Sequence, residues 1–123
     1  MDGRRILIVE DNYLVAAGLS DVMAGHGGIV VGPVSSVVAA LKIIRGEALD
    51  GVLLDVQLSD GNCVQVATAL IERNIPFVVV TGYERSTIPA VLRRAPYLGK
   101  PTAAGDLVEV ARATFRSPSA SAS

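Results

Sequence analysis

The sequence predicts a single α/β domain, with five parallel strands forming a sheet that carries helices on both faces. Three observations predict it. Short aliphatic runs recur along the chain, each bounded by charged, Gly or Pro residues. The segments between them carry helical spacing. The order of strand then helix repeats five times, which leaves a parallel sheet with crossover helices as the economical arrangement.

Four runs read as buried strands: Ile6-Leu7-Ile8-Val9, Ile29-Val30-Val31, Val52-Leu53-Leu54 and Phe77-Val78-Val79-Val80. Their continuous apolar character, without alternation, fits strands covered on both faces. Tyr97-Leu98-Gly99 is a weaker fifth. Val15, Leu19 and Val22 fall at i, i+4, i+7 and predict the first helix. Val37, Ala40, Leu41 and Ile44 predict the second, Cys63, Val66, Ala67 and Leu70 the third, and Leu107, Val110, Ala111 and Thr114 the fifth. Ser86–Arg94 is the weakest helical segment. Pro89 inside it is tolerated only in a first turn, so this fourth helix is expected to be short, displaced or mobile.

The 123 residues suffice for one domain with its own core. With two Phe and no Trp, that core must be aliphatic. Eleven basic residues against twelve acidic ones, with no basic run, give nucleic-acid binding no electrostatic support. No apolar run approaches the roughly 20 residues that span a bilayer. The run behind Arg4-Arg5 is too short for a signal peptide. The single Cys63 cannot form an internal disulfide, which fits a reducing compartment. The expectation is a cytoplasmic protein without nucleic-acid or membrane partners. Residues 1–116 form the expected domain, and Ser117–Ser123 (SPSASAS) reads as a disordered tail.

In a parallel sheet of this kind, ligands sit beyond the carboxyl ends of the strands. Strand one ends in Glu10-Asp11, strand three in Asp55, strand four in Thr81-Gly82, and strand five runs into Lys100-Pro101. Three carboxylates in one crevice repel, and one would take up a proton unless a cation intervened. A divalent ion and one lysine cancel their formal charge, and all-oxygen donors suit Mg²⁺. Such a site suits phosphoryl transfer, in which charge spreads over three equatorial oxygens and catalysis is positioning plus electrostatics. A carboxylate can be the nucleophile and form an aspartyl phosphate. The competing structural reading makes these acids helix caps. That reading suits Glu10 and Asp11, which precede a helix start. Asp55 resists it, because Ser59-Asp60-Gly61 supplies a separate turn and cap.

With these residues in place, the chain resembles the CheY-like receiver domains of two-component signalling, over residues 4 to 116. The matching residues are Glu10-Asp11 after ILIV, Asp55 in VLLDVQLSDGN, Thr81 in VVVTGY and Lys100-Pro101 in YLGKP. The resemblance implies the flavodoxin/CheY-like (βα)5 fold with strand order 2-1-3-4-5. It implies that Asp55 accepts a phosphoryl group. Asp11, Asp55 and the Gln57 carbonyl would bind Mg²⁺ or Mn²⁺ directly, with Glu10 acting through water. Lys100, Thr81 and the backbone of Val56 and Gly82 would contact the phosphoryl group. Tyr97 would be the aromatic switch, and Gln57 and Tyr83 lie where the family tunes the lifetime of the phosphate.

The implied partners are a sensor histidine kinase or phosphotransfer protein and a downstream protein, engaged through the helix 4/strand 5/helix 5 surface. Homodimerisation on phosphorylation is common in the family. The Thr-Gly-aromatic ending also resembles stand-alone receivers that work with HWE-type kinases in alphaproteobacteria. The chain's end after the fifth helix implies no attached output domain, and no turnover on an external substrate is expected. Three features depart from the common pattern: Gly99 before the lysine, the bulky Tyr83, and Pro89.

Three other functions compete. A small phosphohydrolase with an aspartyl nucleophile commonly carries a second acid two residues on, where Gln57 cannot act as a general acid. A phosphate-independent binding module would not need the intact acid and lysine set. A flavodoxin-like cofactor binder would need a phosphate loop after strand one, where the acids stand. His26, between glycines, reads as a helix C-cap, and Cys63 as inert core. Gly99-Lys100-Pro101-Thr102 fails as a P-loop, with Arg94 where its first glycine belongs.

Overall fold

A computed structural model of the chain describes residues 1–117. The expected tail therefore lies, beyond Ser117, outside the described residues. Strands β1 (Arg5–Val9), β2 (Ile29–Val34), β3 (Gly51–Leu54), β4 (Phe77–Thr81) and β5 (Tyr97–Gly99) form one parallel sheet in the order β2-β1-β3-β4-β5. Helices α1 (Tyr13–Gly25), α2 (Val37–Gly46), α3 (Val64–Glu72) and α4 (Ala104–Thr114) cover it. The expected (βα)5 fold and its 2-1-3-4-5 order hold. A two-stranded hairpin, Gln57–Leu58 with Gly61–Asn62, follows β3. Its turn places Gly61 at φ +142°, a conformation open to glycine.

Side chains alternate across the sheet and build a core on each face. Leu7, Val52, Leu54 and Val79 pack with α2 and α3. Ile6, Ile8, Leu53, Val78 and Val80 pack with α1 and α4. Cys63 is fully buried immediately before α3, and burial pushes its thiol up to about 12. Since the thiolate is the reactive form, Cys63 should resist thiol reagents in the native protein at about pH 8 and label only as the chain unfolds. Labelling followed by mass spectrometry, with and without denaturant, measures this.

The structure corrects two local expectations. Ile29-Val30-Val31 is not fully buried: β2 is an edge strand, and Ile29 is 48% exposed. Nor does Ser86–Arg94 form an α-helix. Two 3₁₀ turns, Arg85–Thr87 and Ala90–Arg94, stand in its place, with Pro89 just ahead of the second. The physical cause is Pro89 itself. It lacks an N–H and forces Ile88 into extended backbone (ψ 156°), which divides the segment. His26 is the C-cap of α1 as expected, its ring meeting the Val22 carbonyl.

The hairpin is clipped to α2. The Asp60 carboxylate accepts from the N–H groups of Val37 (2.6 Å) and Val38 (3.2 Å), while Ser59 donates to the Ser35 carbonyl. Asp60 thus caps a helix distant in sequence, and the Val37 bond holds its carboxyl below the usual carboxylate range. A depressed folded-state pKa gives stability that is present above the unfolded value, about 3.9, and lost as pH falls through the folded one. Asp60→Ala should therefore lower the urea midpoint at neutral pH. The gap to the native chain should close once the pH drops well below about 4, as denaturation at the two pH values would register.

Candidate phosphoryl-transfer site

Sheet register assembles the site. Val9 lies opposite Leu54, Leu54 opposite Val79, and Thr81 opposite Gly99. The residues that follow or close these strands, Glu10-Asp11, Asp55, Thr81 and Lys100, therefore meet at one edge. Glu10 N–H bonds the Val34 carbonyl, Asp55 N–H the Val9 carbonyl and Lys100 N–H the Thr81 carbonyl, each at 2.9 Å. These bonds extend the ladder one residue past the strands and fix where the three side chains start.

Carboxylate oxygens of Glu10, Asp11 and Asp55 lie within 4.8 Å of one another. Glu10 and Asp55 are buried, at 3% and 6% exposure, while Asp11 is open to solvent. The Lys100 ammonium reaches Asp55 Oδ2 at 3.3 Å and also pairs with Glu10. Asp55 Oδ1 accepts from the Val56 N–H at 2.8 Å, and Glu10 Oε2 accepts from the Asn12 N–H at 3.0 Å. Burial raises the Glu10 carboxyl above its usual range, against the lowering effect of Lys100. One lysine thus faces three acids, and the uncompensated negative charge, presented by oxygen atoms alone, fits a hard divalent cation. The helix-cap reading does not account for Glu10 or Asp55, since Asn12 caps α1 through its bond from Val15 N–H.

Thr81 closes β4 rather than following it and is fully buried. Its hydroxyl accepts from the Tyr83 N–H at 3.3 Å. Gly82 is exposed, and a Cβ built there would meet nothing within 4 Å, so the approach beside Thr81 is open. Tyr97 is half-buried, and its hydroxyl donates to the Tyr83 carbonyl. The Tyr83 hydroxyl in turn donates to the exposed Gln57 side chain. A cavity of about 540 Å³ opens beneath this contact, lined by Val56, Gln57, Leu58, Tyr83 and Pro89 among others. Every residue singled out at the strand ends is present at this edge. The contacts among Gln57, Tyr83 and Tyr97 had no signal in the sequence, because they join the hairpin, the loop after β4 and the start of β5.

Comparison with known proteins agrees with this geometry. The family model described as response regulator receiver domain matches residues 6–112. The transcriptional regulatory protein PdtaR of Mycobacterium tuberculosis is 28% identical over 120 residues, covering 92% of this chain. The chain spans 58% of that relative's length. The solution structure of SdrG from Sphingomonas melonis Fr1 superposes with a TM-score of 0.80 at 35% identity, over 90% of this chain and 95% of that one. A sensor-kinase receiver domain from Pseudomonas aeruginosa, with magnesium coordinated in its active-site cleft, shares the fold. Its TM-score is 0.77 at 21% identity, over 89% of this chain and 96% of that one. The chain belongs to the response regulator receiver domains of two-component systems.

Proposed function

We propose that this receiver takes a phosphoryl group onto Asp55 from a sensor histidine kinase or a phosphotransfer protein, and that it acts as a switch. The observation that carries the reading is Lys100, 3.3 Å from Asp55 and paired with Glu10, against two members of a three-carboxylate cluster. Asp11, Asp55 and the Gln57 carbonyl would hold Mg²⁺ or Mn²⁺, with Glu10 acting through water. The ion would supply charge neutralisation at the transferring group. A carboxylate oxygen of Asp55 forms the new P–O bond as the bond from phosphorus to the donor's leaving group breaks. Lys100, the Thr81 hydroxyl and the N–H groups of Val56 and Gly82 contact the phosphoryl oxygens.

The buried nucleophile, with Val56 N–H already on one oxygen, supports this placement. Gln57 and Tyr83 flank the path of attacking water and set the lifetime of the phosphate. Tyr97 and the segment that replaces the fourth helix carry the change to a downstream protein, by binding or by relay. No turnover on an external substrate is assigned, because the residue two after the nucleophile is the non-acidic Gln57. The 35% identity to SdrG, over 90% of this chain and 95% of that one, supports a receiver domain over most of the chain. The Thr81-Gly82-Tyr83 ending favours an HWE-type kinase as donor. A cytoplasmic location accords with the lack, among the described residues, of a helix long and apolar enough to cross a membrane.

Intact-mass analysis after incubation with acetyl phosphate tests the reading. One phosphoryl adduct that requires Mg²⁺ is expected. If no adduct forms and beryllofluoride also fails to bind, the domain is a phosphate-independent binding module.

A further inference from the structure

Tyr83 is held at three points. Its N–H reaches the Thr81 hydroxyl, its carbonyl receives the Tyr97 hydroxyl, and its own hydroxyl reaches the Gln57 side chain. Its surroundings make those contacts matter. From Gly82 to Thr87 every residue is exposed, and the next buried anchor is Ile88 at 2% exposure. Thr87 bonds locally, its N–H and hydroxyl both returning to the Glu84 carbonyl, and Arg85 adds an exposed tie through its guanidinium, which donates to the Arg93 carbonyl at 2.8 Å. No α-helix continues from this loop to brace it. Two of the three contacts on Tyr83 come from Thr81 and Tyr97, the side chains assigned to switching. The third comes from Gln57, on a hairpin that is itself clipped to α2 through Asp60.

We propose that the Gln57 side chain is a positioning residue for the switch: by accepting the Tyr83 hydroxyl, it fixes the loop against which Thr81 and Tyr97 are both set. The inference rests on the assignment of Asp55 as phosphoacceptor and Thr81 as phosphoryl contact, and it adds a role for the Gln57 side chain distinct from tuning hydrolysis. Without the Gln57 contact, Tyr83 retains two bonds to side chains that must themselves move. The Arg85 tie holds only the far side of the loop, so at its Tyr83 end the loop, Thr81 and Tyr97 then shift together.

The test uses ¹⁵N relaxation of the unphosphorylated protein, together with the rate of adduct formation from acetyl phosphate. In Gln57→Leu and in Tyr83→Phe, the order parameters of the Tyr83 and Glu84 amides should fall from about 0.85 to below about 0.6. Adduct formation should slow about three-fold to ten-fold, the worth of one net hydrogen bond. The double variant should be no worse than either single one, because both remove the same contact. Gln57→Glu keeps an acceptor and should restore the order parameters, which a generic effect of altering the hairpin would not do. Native order in Gln57→Leu, or additive losses in the double variant, would overturn the proposal. The two readouts separate the failures. A wild-type chain that takes neither a phosphoryl group nor beryllofluoride overturns the assignment of Asp55, while the relaxation data still decide whether Gln57 holds the loop.

Discussion

Asp55→Asn is expected to form no phosphoryl adduct from acetyl phosphate, with or without Mg²⁺, while remaining folded. The amide lacks the nucleophilic oxygen that attacks phosphorus, and no neighbouring group replaces it. Glu10 is buried against Lys100, and Asp11 lies in solvent. The substitution is nearly isosteric, so the buried site keeps its packing. It also relieves repulsion, since Asp55 is among the charges that raise the Glu10 carboxyl. The variant should therefore unfold at a urea midpoint equal to or above that of the native chain. Those two results together assign the loss to chemistry rather than to misfolding. An acid-labile adduct that persists in Asp55→Asn would place the phosphoacceptor elsewhere.

The sequence made this site legible because its parts are strand-end residues. Once five apolar runs are arranged in a parallel sheet, the residues after each run share an edge, whatever lies between them. Glu10, Asp11, Asp55, Thr81 and Lys100 needed only that argument. Buried strands were equally readable, since their apolar character comes from cover on both faces. The edge strand β2 was misjudged for the same reason: Ile29 is as β-branched as Ile6, and composition does not say that one side faces water. Helix faces were read only approximately. In α4 the buried stripe runs through Leu107, Val108 and Ala111, with Val110 only partly covered. Pro89 announced trouble in the fourth helix, but not that the backbone would resolve it into two 3₁₀ turns. Contacts between loops were out of reach. The Asp60 cap on α2 and the bonds of Tyr83 with Gln57 and Tyr97 depend on how the hairpin and the loop after β4 lie against distant elements, and no period or spacing records that.

Gly51→Ala is expected to be the most damaging of the glycine-to-alanine substitutions, since its new Cβ makes the shortest contacts. Gly51 opens β3 and is buried, and the Phe115 ring lies on its backbone. A Cβ at this position would sit 2.2 Å from Cγ and Cδ1 of that ring and 2.6 Å from Cε1. Contacts this short require something to move, and little can. Phe115 N–H closes α4 on the Ala111 carbonyl at 2.8 Å, and the next residue, Arg116, donates its N–H to the Asp50 carbonyl at 2.9 Å. Asp50 is the residue immediately before Gly51, and its own N–H bonds Arg5 in β1. The backbone that carries the ring is thus tied beside Gly51, and moving it away would open the end of α4 and the first pairing of β3. Overpacking typically costs about 1–3 kcal/mol, and 2.2 Å contacts with a ring on an anchored backbone put this case near the top of that range. Against a total stability of about 5–15 kcal/mol, much of the folding free energy would be lost, and urea denaturation should show a large drop in midpoint. Phe115→Ala should itself cost about 3–5 kcal/mol by leaving a cavity. In Gly51→Ala with Phe115→Leu, the smaller side chain gives the new methyl room, so the pair should lose less than the sum of the two single losses. A near-native midpoint for Gly51→Ala alone would mean that the Phe115 ring packs elsewhere in solution.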